Sequence, residues 1–387
     1  MKSSAIRFAD ARCSLGSDLD SCVEQLLNAP PNPAREHFDR QQDPVSMPYF
    51  SLPYPGGQRP PATEIIYRHL VEMGEQALQA CQLDSAARQR TGLFLGSSSF
   101  DVGVSEQQYR AGLESDRPEL AVPMPIIGYG KLAQSTGRQL GLSPCRFTYS
   151  TACTSSANAL LYAHRLLQSG VIDHALVMGF EFFNETTLLG FHGLGLISPG
   201  ETMAPFSAQR DGLILGEGCG LVLLSRDHGA SPLQLRGGAA ATDNHSLTAA
   251  NSDGSSLAEV IRQALDDSGI SAADIVAIKA HGTASLMNDE AEAAGLLRLF
   301  AQPLPPIFAL KPYCGHTLGA SGALEMALTL GCLLRNRLPA NPLATPDPQL
   351  GIGLLPAPVA APQGHYLFNC FAFGGNNNAL VVEHLSL

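Results

Sequence analysis

The chain reads as an α/β fold built from two packed halves. Strand-length apolar runs alternate with helical stretches, many of the runs are uninterrupted, and the alternation completes two rounds in similar order. Uninterrupted apolar strands belong to sheets covered on both faces. The halves are placed at 1–228 and 229–387, each long enough to bury a core of its own.

In the first round, residues 6–11 read as a strand and 18–27 as a short helix. The stretch 30–61 is proline-rich, with Pro-Tyr-Pro-Gly-Gly at 53–57, and reads as covering loop. Thr63 is expected to cap a helix to about Gln82, with Ile65, Ile66, Leu70, Met73 and Leu78 inward. Residues 92–96 form a buried strand that ends in serines, 125–142 a helix, and 174–179 and 219–225 two further apolar strands. In the second round, 233–241, 275–280, 307–311, 366–371 and 379–383 read as strands, and 255–268, 289–300 and 319–334 as helices.

Composition removes several classes of function. A net charge of −11 argues against nucleic acid as partner. No apolar run approaches the roughly 20 residues of a membrane span, and Met1-Lys2-Ser3-Ser4 begins no signal peptide. Nine cysteines, an odd number without CxxC spacing, indicate neither a disulfide framework nor a zinc site, so a reducing cytoplasm is expected. The glycine-rich stretches match no dinucleotide or Walker pattern. Neither a metal nor a redox cofactor is expected.

The organising stretch is Tyr149-Ser150-Thr151-Ala152-Cys153-Thr154-Ser155-Ser156, which leads into a helix to about Gln168. A cysteine at a strand-to-helix junction meets unpaired N–H groups and a helix dipole that lower its pKa, and this prepares a nucleophile. The alternative is an inert buried thiol. His281 follows a buried strand and precedes Gly282 and Thr283 in a turn; His316 repeats that placement ahead of Gly319, Ala320 and Gly322. Loops at strand carboxyl ends are where α/β folds assemble their sites. A third cluster, Asn369 to Asn378, follows another strand; its backbone N–H groups face either a substrate oxygen or only a turn. His192 stays undecided, and the other histidines read as structural or surface groups.

Together these stretches resemble the β-ketoacyl synthases of the thiolase superfamily, specifically decarboxylating condensing enzymes of the KAS I/II type. TACTSS, PFSAQRDGLILGEG, AHGTASLMNDEAE, KPYCGHTLGASGALE and NCFAFGGNNN occur in the family's order over about residues 90–385. The resemblance implies a thiolase-like αβαβα five-layered sandwich working as a dimer, either a homodimer or a pair with a homologous ketosynthase. It implies Cys153, His281 and His316 as the catalytic set, Lys311 and Glu325 in support, and the Phe373 N–H joining that of Cys153 in an oxyanion hole. Phe191, Thr283, Phe371, Ala372, Gly374 and Gly375 are assigned to substrate contact. The implied reaction loads an acyl group from acyl carrier protein onto Cys153, decarboxylates malonyl carrier protein against two neutral imidazoles, and joins the two. Thiolases carry a second reactive cysteine near the last glycine loop, whereas Cys370 stands before FAFGG at a strand end. The KAS III type has asparagine in place of one of the two histidines.

The chain also departs from the family. The N-terminal Thr-Gly-x-Gly signature is missing, Ser207 replaces an aspartate, Ala372 replaces a glycine of the gating loop, and Asn376 replaces a threonine. An alanine at 372 stiffens that loop if its φ is positive. These changes leave a rival reading open, a non-condensing chain-length factor paired with a catalytic synthase in a type II polyketide or aryl-polyene system. Acidic carrier proteins call for a locally basic docking patch, with Arg68, Arg165 and Arg210 as candidates.

Overall fold

The computed structural model describes residues 3–38, 44–116, 119, 128–227, 229, 231–246, 250–341 and 345–386. The first round runs β1 (Ser4–Cys13), α1 (Leu19–Asn28), β2 (Ala34–Phe38), β3 (Val45–Phe50), α2 (Ala62–Ala80), α3 (Ser85–Arg88), β4 (Thr91–Gly96) and α4 (Val102–Leu113). It continues through α5 (Tyr129–Gln139), β5 (Arg146–Tyr149), α6 (Ser155–Gln168), β6 (His174–Glu181), α7 (Glu185–Gly193), β7 (Leu215–Gly216) and β8 (Gly218–Ser225). The second round opens with β9 (Leu233–Thr242), α8 (Ser255–Ser268), β10 (Ile275–Lys279), α9 (Leu286–Leu299), β11 (Ile307–Phe308) and α10 (Lys311–Cys314). It closes with α11 (Ser321–Leu334), β12 (Arg337–Leu338), β13 (Val359–Ala360), β14 (Gly364–Phe371) and β15 (Asn376–His384).

Two arrays of strands repeat one plan. The first lies in the order β5-β4-β6-β8-β1 and the second in the order β11-β10-β14-β15-β9, so the spatial sequence is third, second, fourth, fifth, first in both. In each array the first three strands run parallel and the last two pairings are antiparallel. The arrays join where Ser4 and Ala5 of β1 pair with Leu235 and Gln234 of β9. The expected meeting point, residue 228, lies outside the described residues.

Side-chain alternation along the strands sets the layers. Val222 and Leu224 of β8 pack with Leu160 of α6 and Leu324 of α11, while Leu221 and Leu223 face Ile66 of α2 and Leu132 of α5. On the far side, Ile278 and Leu367 meet Val260 of α8 and Leu296 of α9. The layers therefore run helix, sheet, helix, sheet, helix. A helix in the middle layer must be apolar all round, and every residue of α11 from Ser321 to Leu333 is buried. The outer α8 instead buries one stripe, Leu257, Val260, Ile261, Ala264 and Leu265. The crossing of α6 and α11 requires glycine at 322, where a Cβ would stand 2.2 Å from the Ala157 nitrogen.

Several local expectations are corrected. The 30–61 stretch is not all loop: β2 and β3 pair antiparallel, and β3 adds β7 as a parallel neighbour. Its apolar residues Met47, Tyr49 and Phe50 are buried against Leu213 and Leu215. Thr63 does not cap α2, whose N-cap is Pro61 without a side-chain bond. The strand expected at 307–311 stops at Phe308, and Lys311 opens the short α10 with Pro312 in its first turn. Of the helix expected at 125–142, residues 125–127 lie outside the described residues and α5 covers Tyr129–Gln139.

Candidate active site

Cys153 sits between β5 and α6, in a turn locked by its own hydroxyls. Ser155 Oγ donates to the Ala152 carbonyl at 2.6 Å and accepts from the Thr151 N–H at 3.0 Å, and Thr154 Oγ1 donates to the Thr151 carbonyl at 2.7 Å. Ala152 takes φ +51°, a left-handed conformation that costs a non-glycine residue about 1 kcal/mol or more and is retained where the surroundings over-determine it. The turn presents the sulphur at the floor of a cavity.

His316 precedes α11 much as Cys153 precedes α6. Its backbone is clamped by the 214–216 loop: its N–H donates to the Ile214 carbonyl at 2.7 Å, and its carbonyl accepts from the Gly216 N–H at 3.2 Å. His316 Nε2 lies 3.1 Å from Cys153 Sγ, and Nδ1 lies 3.3 Å from Ser321 Oγ. The His281 ring stands edge-on to the His316 ring with centroids 5.5 Å apart.

The His281 turn is held by a carboxylate the sequence reading did not single out. Glu292 accepts the His281 and Gly282 N–H groups at 2.8 and 2.9 Å, and Asn369 Nδ2 at 3.1 Å. Behind the ring, Lys311 Nζ donates to the His281 carbonyl at 2.7 Å and lies 3.3 Å from its Nδ1. That contact leaves Nε2 as the N–H donor into the cavity. Lys311 also pairs with Glu325 at 2.8 Å, and Lys279 pairs with the other Glu325 oxygen. A second missed carboxylate, Glu181, accepts the N–H groups of Ser98, Ser99 and Gly319 at 2.9, 2.9 and 3.0 Å, which ties the serine turn after β4 to the loop ahead of α11. Charged residues at core positions of an apolar helix or strand, Glu292 in α9 and Glu181 at the end of β6, were the signal for these groups.

The electrostatics correct one expectation and support another. The Cys153 thiol is not acidified in the resting site: burial pushes it up to about 12, only partly opposed by Lys311 and the Phe373 N–H. Both imidazoles are held well below the ordinary histidine value, by burial first and by the Lys311 ammonium next, so both are neutral near pH 7. A neutral thiol beside a neutral imidazole forms its thiolate by passing a proton to His316 when an electrophile arrives.

A cavity of about 250 Å³ opens onto Cys153, His281 and His316, with Thr283, Phe371, Ala372 and Gly375 also in its lining. Phe191 and Phe373 line it too, and their rings stack at 5.9 Å. Gly374 lies outside the lining, and Lys311 and Glu325 stand behind it. Ala372 has φ −140°, so an alanine there carries no strain and the loop is not stiffened in that way. Within that loop the positive-φ residues are Gly374 and Gly375. Arg210 is not a docking residue: its side chain is 6% exposed and pairs with Asp347 at 2.6 Å. Arg68 is half-exposed and paired with Glu64, Arg165 is exposed on α6, and His192 is exposed on α7. Among the described residues, no group of His, Cys, Asp and Glu is arranged to hold a metal ion.

A five-layered α/β frame with a thiol–imidazole pair at the ends of its central helices defines a thiolase-fold acyltransferase. The N-terminal domain model of β-ketoacyl synthases matches residues 58–230 and the C-terminal domain model matches 234–343. The 3-oxoacyl-[acyl-carrier-protein] synthase 2 of Vibrio cholerae is 26% identical over 347 residues, which covers 83% of each chain. The chloroplastic synthase I of Arabidopsis thaliana is 25% identical over 95% of this chain and 84% of its own. Among solved structures, a ketosynthase in complex with its chain length factor from Xenorhabdus doucetiae superposes with a TM-score of 0.83 at 26% identity, over 99% of this chain and 98% of that one. A β-ketoacyl synthase from Burkholderia phymatum gives 0.84 at 25%, over the whole of both chains. The chain belongs to the β-ketoacyl synthase family, the condensing acyltransferases of fatty-acid and polyketide chain elongation.

Proposed function

We propose that this protein extends carrier-bound acyl chains with Cys153 as the nucleophile and His281 and His316 as the paired donors. The 3.1 Å contact between His316 Nε2 and Cys153 Sγ carries the reading. In the loading half-reaction the thiol proton passes to His316 as sulphur attacks the thioester carbonyl of an acyl carrier protein. The carbonyl oxygen takes the N–H bonds of Cys153 and Phe373, and the departing carrier thiolate recovers the proton. In the second half-reaction His316 takes the tautomer with its ring proton on Nε2, its Nδ1 accepting from Ser321 Oγ, and malonyl carrier protein sets its thioester oxygen against the Nε2–H groups of the two imidazoles. The bond to the carboxylate breaks, CO2 leaves, and the electron pair becomes an enolate. Its carbon attacks the acyl–Cys153 carbonyl, and the Cys153 thiolate is released and reprotonated. Preorganised donors at such oxygens are worth on the order of 10²–10³ in rate each.

The pairing of Cys153 with His316 favours a condensing subunit over the chain-length-factor role, which needs no such contact. A dimer is supported by β5, which closes the sheet at its edge with Phe147 42% exposed, beside Tyr162 on α6 at 46%. No helix among the described residues is long and apolar enough to cross a membrane, and the nine cysteines are free, which supports a reducing compartment such as the cytoplasm. The test is intact-protein mass spectrometry after incubation with an acyl carrier protein thioester. An acyl adduct on wild type and none on Cys153→Ala supports the reading, and no adduct on folded wild type refutes it.

A further inference from the structure

Glu325 is shared by two buried ammonium groups, and only Lys311 is accounted for by the chemistry above. Lys279 ends β10, is 1% exposed, and places Nζ on the second carboxylate oxygen of Glu325. The same ammonium donates to the Asn369 carbonyl at 3.0 Å and lies 4.1 Å over the Phe368 ring. One side chain thus joins three elements that each carry part of the site: β10, which leads into His281; α11, which follows His316; and β14, which leads into Phe373. Two cations on one anion give this trio a surplus positive charge, with the Glu292 carboxylate also acting on Lys279, in a fully buried region where a charge acts over several ångströms with little screening.

We propose that Lys279 is a positioning residue of the condensing centre, which holds the Glu325–Lys311 pair against His281 and supplies the surplus charge that keeps both imidazoles unprotonated. An imidazolium at either position has no neutral lone pair to offer Cys153 and is opposed by a neighbouring cation. The charged or titratable groups around the two rings are Lys311, Glu325 and Lys279 behind them, and Glu292 under the His281 turn. Cys153, Asp211 and Asp243 line the cavity in front of them, Glu181 accepts from the Gly319 N–H, Cys370 is on β14 and Cys314 ends α10 two residues before His316. Of the two lysines, only Lys279 touches neither imidazole, so its effect on them is electrostatic and positional rather than through a hydrogen bond. The inference rests on the reading of the site as a decarboxylating condensing centre.

The test combines titration of ring-labelled histidines by NMR with the pH dependence of CO2 release from malonyl carrier protein, on the wild type and on Lys279→Met. The expected result is that the His281 and His316 titrations move up by about one pH unit in the variant. The acid limb of decarboxylation moves up with them by the same interval, so at a pH on that limb the rate, relative to its alkaline plateau, falls up to about tenfold below that of the wild type. If Lys279→Met does not fold, the same readouts are taken on Lys279→Gln, whose amide still donates to the Asn369 carbonyl without the charge. Titrations and a pH profile that keep their positions, with the rate merely scaled down, overturn the inference and leave Lys279 a packing residue. Wild-type protein that releases no CO2 overturns the condensing reading instead, and the imidazole titrations still decide the role of Lys279.

Discussion

His316 Nε2 lies 3.1 Å from Cys153 Sγ, within reach of the thiol proton. Burial holds the thiol up at about 12 and the imidazole low, and neither is charged at rest. A base that accepts the thiol proton only as a bond forms contributes on the order of 10² in rate. Alkylation of Cys153 by iodoacetamide, followed by intact mass, should therefore slow about 10²-fold in His316→Ala at pH 7. The deficit should shrink as the pH approaches the thiol's own titration. An unchanged rate would show that the thiolate forms without the imidazole.

His281 lines the cavity, with Lys311 Nζ 3.3 Å from its Nδ1 and Glu292 accepting its backbone N–H, and in the proposed reaction it serves as a donor. Its loss should leave acyl loading of Cys153 intact within a few-fold. Decarboxylation of malonyl carrier protein in His281→Ala should fall by on the order of 10²–10³, read as CO2 or acetyl carrier protein formed. Equal losses in both half-reactions would make its role structural.

Asp289 is buried in α9, where its carboxylate accepts the Phe206 N–H at 2.7 Å and faces the Thr283 N–H. Burial raises its titration from the ordinary 3.8 to about 7 in the folded chain. The folded state therefore binds the proton more tightly than the unfolded chain, and stability from this group is full below pH 4 and lost as pH rises to 7. The span corresponds to about 4 kcal/mol at most. Asp289→Asn should flatten urea-unfolding stability between pH 4 and 7 and exceed the wild type at pH 8. A variant less stable than wild type at pH 8 would contradict the assignment.

Phe147 stacks on Phe94 at 5.4 Å with its other face open at the sheet edge. A charge there should oppose burial against a partner. Phe147→Glu should shift the protein from dimer to monomer in analytical ultracentrifugation, while its circular dichroism stays that of the wild type. A variant that remains dimeric would place the interface elsewhere.

What could be read from the sequence follows physical range. Strands such as β4 and β8 were legible because burial on both faces leaves an unbroken apolar run, and Cys153 because small hydroxyl residues crowd one junction. The pairing of β3 with β7 joins residues far apart in the chain, and prolines such as Pro48 hid it. The acidity of Cys153 was misread for a related reason: a helix start predicts a lowered pKa, but the depth of burial that outweighs it belongs to the folded chain alone. Glu292 and Lys279 stood in quoted or neighbouring stretches, yet their partners Asn369 and Glu325 come from other elements. Ala372 was judged by a φ angle that only the folded loop supplies.

The repeated strand order has a consequence for how such a site arises. Cys153 and His316 stand at equivalent points of the two arrays, each just ahead of the helix that its array lends to the middle layer. Two identical halves would set the same side chain on both sides of that meeting point, and a pair of thiols or a pair of imidazoles there carries out no acyl transfer of this kind. Reactivity therefore requires the copies to differ at these positions while the frame that opposes them stays the same. Symmetry brings the loops together, and its local breaking makes them a donor and an acceptor.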